Sequence, residues 1–236
     1  MKPRTHTLRA LFAFSAFSMA LLLPAGPALA RQEAAVGLNE EFKYQWQLRN
    51  FVGAIAGMFL PNHGEGSLTF KTGRDGHLKS ELLITSSESK AGEYFRYGSE
   101  VDTRTLQPIR AWSAYSWRGE AKSKSEPIDQ QGVLDIAAGI YAIRQDPPVR
   151  SRRMEIWSEG KVYPVLVIPK GDDRRKLHGK MIPVRHYEVR GISLPGRRKW
   201  KGKMELWLAK DEAATPVEIV ISRAMADVHM RLQSAS

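Results

Sequence analysis

The sequence predicts a mainly β protein of antiparallel strands with a single helix. Apolar and polar residues alternate in many short segments, turn-forming residues separate those segments, and only one segment has helical spacing. Because consecutive strands joined by short turns are most simply antiparallel, the pattern predicts a meander.

The first alternating segment carries unusually large side chains. Phe42, Tyr44, Trp46 and Leu48 fall on one face of an extended chain, with polar residues between them. This spacing predicts a half-buried strand. Further strands are predicted over residues 66–72, 77–86, 93–102, 108–118, 121–126, 154–157, 161–168, 181–192, 202–209, 217–222 and 228–232. A connecting turn is expected at 171–173, where glycine precedes two aspartates.

The single helix is predicted over residues 129–145. Asp129 is placed to cap its N-terminus, and Pro147 and Pro148 would end it. Four apolar residues and one cation recur at helical spacing: Leu134, Ala137, Ile140, Tyr141 and Arg144.

Residues 1–30 are predicted to be a cleavable signal peptide. Basic residues precede an apolar run over 10–23, and residues 28–30 (Ala-Leu-Ala) fit signal peptidase. The run is shorter than the roughly 20 residues of a bilayer span. The alternative, an uncleaved anchor, is disfavoured by the prolines and glycine at 24–27. We therefore expect a periplasmic protein of residues 31–236, a single β-rich domain with no transmembrane span. Since the chain has no cysteine, we do not expect a lipoprotein.

Charge predicts the class of partner. Of 36 Lys and Arg, three lie in the leader, so 33 would remain against 25 Asp and Glu, a net charge of +8. Outside the cytoplasm this excess favours lipid, lipopolysaccharide or an anionic glycan over nucleic acid. The alternative is that the charge only keeps the protein soluble.

Basic residues cluster at three predicted loops or strand ends. If those loops meet, they form one surface for an anionic partner; otherwise they are separately solvated hairpin tips. The residues assigned to this surface are Arg152, Arg153, Arg174, Arg175, Arg197, Arg198, Lys199 and Lys201.

No catalytic motif is found, so the sequence predicts neither an enzyme nor a bound metal or cofactor. Without cysteine there is no thiolate chemistry. Outside the leader, no two histidines lie within four residues of each other, and neither Gly-x-Ser-x-Gly nor a phosphate loop occurs. Glu81 with Glu88, or Asp172 with Asp173, could pair for glycan hydrolysis, but strand faces and turns explain them more simply.

Five short stretches occur in an order typical of one protein family. They are 44–46 (Tyr-Gln-Trp), 141–144 (Tyr-Ala-Ile-Arg), 157–161 (Trp-Ser-Glu-Gly-Lys), 206–211 (Leu-Trp-Leu-Ala-Lys-Asp) and 215–219 (Thr-Pro-Val-Glu-Ile). The most specific part is the C-terminal pair, a Trp-containing strand and acidic turn followed by Thr-Pro-Val-x-Ile. Together, over about residues 40–233, these stretches resemble the exported bacterial family called domain of unknown function 3108.

The resemblance implies a build similar to periplasmic lipoprotein carriers of the LolA kind. That build is an open antiparallel half-barrel with one helix packed on its concave face and an apolar cavity between. The strand pattern alone is equally compatible with a lipocalin-like barrel.

Two functional hypotheses follow. In the first, the protein is a non-enzymatic binding module that holds an amphiphilic or acyl ligand, and the expected ligand-binding residues are Tyr44, Trp46, Trp112, Tyr115, Ile140, Tyr141 and Arg144. In the second, it is a structural or interaction protein with a filled core that binds an anionic glycan or a protein. An apolar cavity of roughly 300 Å³ or more would favour the first hypothesis. An enzyme acting on glycans or lipids is a third possibility.

Overall fold

A computed structural model describes residues 38–49, 62–87, 92–117, 119–223 and 226–236. These residues form thirteen strands and one helix, α1 (Ile136–Gln145). The strands are β1 (Asn39–Arg49), β2 (His63–Thr72), β3 (His77–Ser86), β4 (Tyr94–Asp102), β5 (Pro108–Trp117), β6 (Glu120–Pro127), β7 (Val133–Leu134), β8 (Arg152–Ser158), β9 (Lys161–Leu177), β10 (Lys180–Gly191), β11 (Lys203–Ala209), β12 (Pro216–Arg223) and β13 (Ala226–Ala235).

All thirteen strands of the described residues belong to one sheet. β1 to β6 follow one another on one side, β13 back to β7 follow on the other, and β1 joins the halves by pairing with β13. Every pairing is antiparallel except that of β7 with β8. The sheet is open, because β6 and β7 are its two edges. The predicted fold class is therefore confirmed: a mainly β, open antiparallel half-barrel whose helix packs on the concave face.

Side-chain contacts bridge the two ends of the sheet. Trp157 in β8 donates its indole N–H to the Glu126 carboxylate in β6 over 2.6 Å. Ala111, Ile128, Val133 and Trp157 form a small hydrophobic cluster separate from the main core. The opening between the edge strands β6 and β7 is therefore partly closed by side-chain packing rather than by backbone hydrogen bonds.

The alternation predicted for the first strand is observed. Phe42, Tyr44 and Trp46 are buried on the concave side, whereas Lys43 and Gln45 between them are exposed. The pleat alone produces this pattern, because successive side chains point to opposite faces of a strand.

The helix is shorter than predicted. It begins at Ile136 rather than near Asp129, and residues 133–134 form β7. Gly132 has a φ of +70°, which interrupts any helix there. Asp135 is the actual N-cap: its two carboxylate oxygens accept from the backbone N–H groups of Ala137 and Ala138 at 3.0 and 2.9 Å.

The turn predicted at 171–173 lies inside a strand. β9 continues to Leu177, and the hairpin turns instead at His178 and Gly179, which have φ values of +46° and +82°. Gly171 stands at a register shift between β9 and β10, with a φ of +99°. Glycine followed by aspartates therefore makes a bulge here, and the pairing continues past it.

Two sequence-based expectations involve residues outside the described part of the chain. They are the signal peptide at 1–30 and the carboxylate pair that would include Glu88. In the part of the chain that the structure describes, no helix has the length and apolar character needed to cross a membrane.

Candidate ligand-binding cavity

A cavity of about 950 Å³ occupies one end of the half-barrel interior. It lies at the top of the range for ligand pockets, about 300–1,000 Å³. Most of its lining is aliphatic or aromatic, with charged residues among the remainder. The lining residues are Trp46, Leu48, Ile84, Ser86, Glu93, Phe95, Tyr97, Trp117, Ile136, Ser158, Glu159, Tyr163, Arg198, Lys199, Trp200, Lys201, Gly202, Ile221 and Val228.

Inward positions of β1, β4 and β5 supply the aromatic wall. Trp46 is followed two residues later by Leu48 on β1, and Phe95 by Tyr97 on β4, as strand periodicity requires. The Phe95 ring centroid lies 5.7 Å from that of Trp117 on β5. Trp46 is held in place because its indole N–H donates to the Thr85 carbonyl over 2.8 Å.

The helix fills the other end of the interior. Ile140 is fully buried, and the Tyr141 ring lies 5.2 Å from that of Phe70. Only Ile136, the first helical residue, lines the cavity. The helix therefore packs the closed half, and the cavity begins where the helix begins.

Buried hydrogen bonds fix this N-terminal end of the helix. Besides capping α1, the Asp135 carboxylate accepts from the hydroxyl groups of Ser80 and Ser99 on strands β3 and β4. Burial raises the pKa of Asp135, while these hydrogen bonds act in the opposite direction. The contacts anchor the start of α1, and with it Ile136, to the sheet.

The loop between β10 and β11 brings a tryptophan and several cations to the cavity. Trp200 is only 7% exposed. A Cβ atom on Gly191 would lie 2.2 Å from the Trp200 carbonyl oxygen, and one on Gly202 would lie 2.7 Å from the indole ring. Glycine is therefore required on both sides of this tryptophan.

Charged side chains mark the solvent side of the cavity. Arg198, Lys199 and Lys201 are exposed, and they form no hydrogen bond or ion pair with any other residue that the structure describes. Glu93 and Glu159 also line the cavity. The charged part of the lining thus has three cations and two carboxylates, beside a mainly apolar interior.

The seven expected ligand-binding residues do not come together. Trp46 lines the cavity, and Ile140 and Tyr141 lie in the packed half. Tyr44 is buried there too, and its hydroxyl donates to the Pro216 carbonyl over 2.8 Å. Burial raises its pKa.

Arg144 is occupied within the fold. Its guanidinium donates to both carboxylate oxygens of Glu40, at 2.8 and 3.1 Å, and to the carbonyl groups of Ala213 and Ala214. Its Cζ atom also lies 4.8 Å from the centre of the Phe42 ring. These contacts leave the side chain buried at the end of α1 that lies away from the cavity.

Trp112 and Tyr115 occupy different surroundings. The Trp112 indole donates to Glu81 over 3.2 Å, with its ring against Gly98. Tyr115 stacks on Phe95 at 6.0 Å, next to the aromatic wall but outside the lining.

The eight basic residues expected at an anionic-partner surface divide into two groups. Arg198, Lys199 and Lys201 line the cavity. The others are engaged elsewhere: Arg152 with Asp146, Arg153 and Arg197 with Glu155, Arg174 with the Met181 carbonyl, and Arg175 with Asp173 and Glu218.

Sequence reasoning assigned no site role to most of the lining. Ile84, Phe95, Trp117, Ile136 and Trp200 were not among the expected ligand residues. A signal existed for part of this set, since Phe95 and Tyr97 alternate along a predicted strand. No comparable signal identifies Trp200, which lies in a loop between strands.

A polar cluster on β10, β11 and β13 lies outside the cavity. The His186 ring stacks on Trp207 at 4.3 Å, and its Nε2 atom lies 3.4 Å from the Glu205 carboxylate. Burial lowers the pKa of His186, although Glu205 opposes the shift. Burial also lowers the pKa of His229, with Arg49 acting in the same direction.

Asp75, His77 and Glu100 offer three potential metal-ligand atoms within 4.8 Å of one another. The Nδ1 atom of His77 lies 3.2 Å from the Asp75 carboxylate and 3.1 Å from that of Glu100. The group is exposed or half-buried at one end of β3 and β4, and ion pairing accounts for its geometry. We assign no metal to it.

No family model matches the chain, and no curated protein matches it either. The resemblance to domain of unknown function 3108 therefore stays a prediction.

Solved structures show distant likeness. A β-barrel-like protein of domain of unknown function 1849 from Brucella abortus has 8% identity and a TM-score of 0.47, covering 84% of this chain and 97% of that one. Lipoprotein LppX from Mycobacterium tuberculosis has 11% identity and a TM-score of 0.31, with coverages of 87% and 91%. LprF from Mycobacterium bovis has 13% identity and a TM-score of 0.31, with coverages of 86% and 88%. Since these values are low, the choice of site rests on the cavity itself.

Proposed function

We propose that this protein is a non-enzymatic binding protein of the periplasm that holds an amphiphile with an acyl chain and an anionic headgroup. The observation that carries the proposal is the apolar cavity of about 950 Å³, whose lining includes three cations that pair with no other residue the structure describes. The acyl chain would lie among the aromatic side chains, and the headgroup would face the cations.

Burial of apolar surface supplies the driving force. Transfer of acyl surface from water contributes about 25 cal/mol per Å². The apolar lining offers few hydrogen-bond partners to water, so an acyl chain suits the space better than solvent does. The rival hypothesis of a filled core finds support only at the helix end, where Ile140 and Tyr141 are packed.

The cations supply the headgroup preference. Arg198, Lys199 and Lys201 lie within four residues of sequence and need break no existing ion pair among the described residues to meet an anion. An exposed ion pair contributes about 0.2–1 kcal/mol, so three of them, at about 0.5 kcal/mol each, would favour an anionic headgroup by about tenfold. A lipid headgroup is the simplest source of that anion.

Native mass spectrometry after gentle extraction from the periplasm tests the proposal. We expect a fraction of the protein to carry a bound lipid, and the mature chain to begin at Arg31. The purified protein should also bind a fluorescent fatty acid at micromolar concentration. A consistently ligand-free protein with no affinity for any acyl probe would refute the proposal.

A charge-matched pair of variants tests the headgroup site. Replacing all three of Arg198, Lys199 and Lys201 by serine should weaken binding of a fatty acid about tenfold. It should leave binding of the uncharged fatty alcohol unchanged. Substituting Arg152, Arg153 and Arg174 with serine removes the same charge away from the cavity and serves as the control. Equal effects of both triple variants would show that only net charge matters.

A further inference from the structure

A small apolar void lies beyond the cavity, beneath the helix. Its volume is about 10 Å³, which is barely the space of one water molecule. The lining residues come from α1, from the strands that face it and from the loop between β10 and β11. They are Ile136, Gly139, Ile143, Met154, Ile156, Val167, Val189, Trp200 and Met204. None of these side chains offers a strong hydrogen-bond partner except the Trp200 indole.

Two residues line both spaces. Ile136 and Trp200 belong to the wall of the cavity and to the wall of the void. Ile136 is 6% exposed and Trp200 is 7% exposed, so both are held in the interior. These two side chains form the partition between the cavity and the space beneath α1.

The residues that line the void, on the other side of the partition from the cavity, can repack. Met154 and Met204 have flexible, unbranched side chains that repack around different shapes. Gly139 is placed inside the helix, where glycine destabilises relative to alanine. A Cβ atom there would lie 3.1 Å from Ile156 Cδ1, so this glycine keeps the void from being filled.

We infer that Ile136 and Trp200 close the inner end of an acyl channel and so set the length of the chain that the cavity accepts, with the void as blocked space beyond them. The inference rests on the proposed function, because it assigns residues that determine the ligand length in the same cavity. Chains that end at the partition fit the native protein. Longer chains require the partition to be removed.

A series of saturated fatty acids of increasing length tests the inference. In the native protein, affinity should rise about fourfold for each added methylene until the chain reaches the partition, and then stop rising. Ile136→Ala and Trp200→Leu should each move this limit to longer chains. Two variants at different positions keep the test valid if one of them fails to fold, as judged by its thermal unfolding transition.

Two further variants separate channel opening from general loosening. Adding Gly139→Ala to Ile136→Ala narrows the space beneath α1 and should move the limit back toward that of the native protein. Ile219→Ala truncates a fully buried residue that lines neither space, and it should leave the limit unchanged. Both results would support the inference.

The results that would overturn the inference differ from the result that would overturn the proposed function. If the native protein binds fatty acids and the limit stays fixed in Ile136→Ala and Trp200→Leu, the partition is overturned while the proposed function stands. If the control moves the limit as far as those variants do, the inference also fails. If neither the native protein nor any variant binds a fatty acid, the proposed function falls and the inference with it.

Discussion

At the scale of single residues, Arg144 shows how a side chain suited to a ligand can be used by the fold. Its guanidinium meets Glu40, two backbone carbonyl groups and an aromatic ring. A planar group with five N–H donors makes all of these contacts at once, whereas an ammonium group cannot. We therefore expect Arg144 to act on stability.

Arg144→Lys should lower the free energy of unfolding by about 3 kcal/mol, because part of a buried ion pair and its carbonyl contacts are lost. Arg152→Lys is the matched control, since Arg152 pairs with an exposed aspartate, Asp146, and should change stability by less than about 1 kcal/mol. Urea unfolding of the two variants measures the difference. Similar stabilities, with weakened acyl binding in Arg144→Lys, would return this residue to the ligand site.

At the scale of elements, the helix and the sheet divide the interior between them. α1 packs the end near Phe70, and the cavity opens beyond Ile136. Ile140 and Ile136 lie one helical turn apart and both are buried, yet only Ile136 borders the cavity.

Ile140→Ala should therefore cost about 2–5 kcal/mol, as expected for truncation in a packed core. Acyl-probe affinity should change little, because Ile140 does not line the cavity. Thermal melts beside a fluorescent fatty-acid titration measure both quantities. A small loss of stability with a large loss of binding would instead make the helix a lid over the ligand.

The polar cluster on β10, β11 and β13 predicts a pH dependence of stability. The pKa of His186 and that of His229 are lowered in the folded protein, so the unfolded chain takes up these protons first as pH falls below about 6.5. The free energy of unfolding should therefore fall as the pH is lowered from about 6.5 toward the pKa values of the folded protein.

The free energy of unfolding measured between pH 7.5 and 5.5 checks this expectation. The decline should be shallower in the double variant His186→Gln/His229→Gln. His178→Gln, at an exposed hairpin turn, controls for the substitution itself. An unchanged pH profile in the double variant would show that these two histidines do not carry the effect.

The buried face of the first strand was predictable from the sequence, whereas the start of the helix and one turn were not. The alternation of Phe42, Tyr44 and Trp46 identified β1 and its buried face, because the pleat depends only on neighbouring residues. The helix start was misplaced because Asp129 was expected to cap it, whereas Asp135 is the cap and Gly132, with its positive φ, interrupts any helix before it. The turn expected at 171–173 was wrong because a glycine with positive φ also serves a bulge.

At the scale of the whole molecule, the cavity occupies the part of the half-barrel interior that the helix does not fill, beyond Ile136. Sequence spacing indicates which residues point inward, and so it identified Trp46. It does not indicate which end of a half-barrel the helix fills, since that depends on long-range contacts such as those from Asp135 to Ser80 and Ser99. For the same reason, Arg198, Lys199 and Lys201 could be selected as basic residues but not placed beside the cavity.

Photo-crosslinking of the native protein with a fatty acid that carries a diazirine in its chain tests the central claim most directly. After irradiation and proteolysis, mass spectrometry should place the adducts on residues that line the cavity, such as Leu48, Phe95, Trp117 and Trp200. An excess of unlabelled fatty acid should suppress them. Adducts confined to exposed hydrophobic residues such as Val149 and Met181, or adducts insensitive to competition, would contradict the claim.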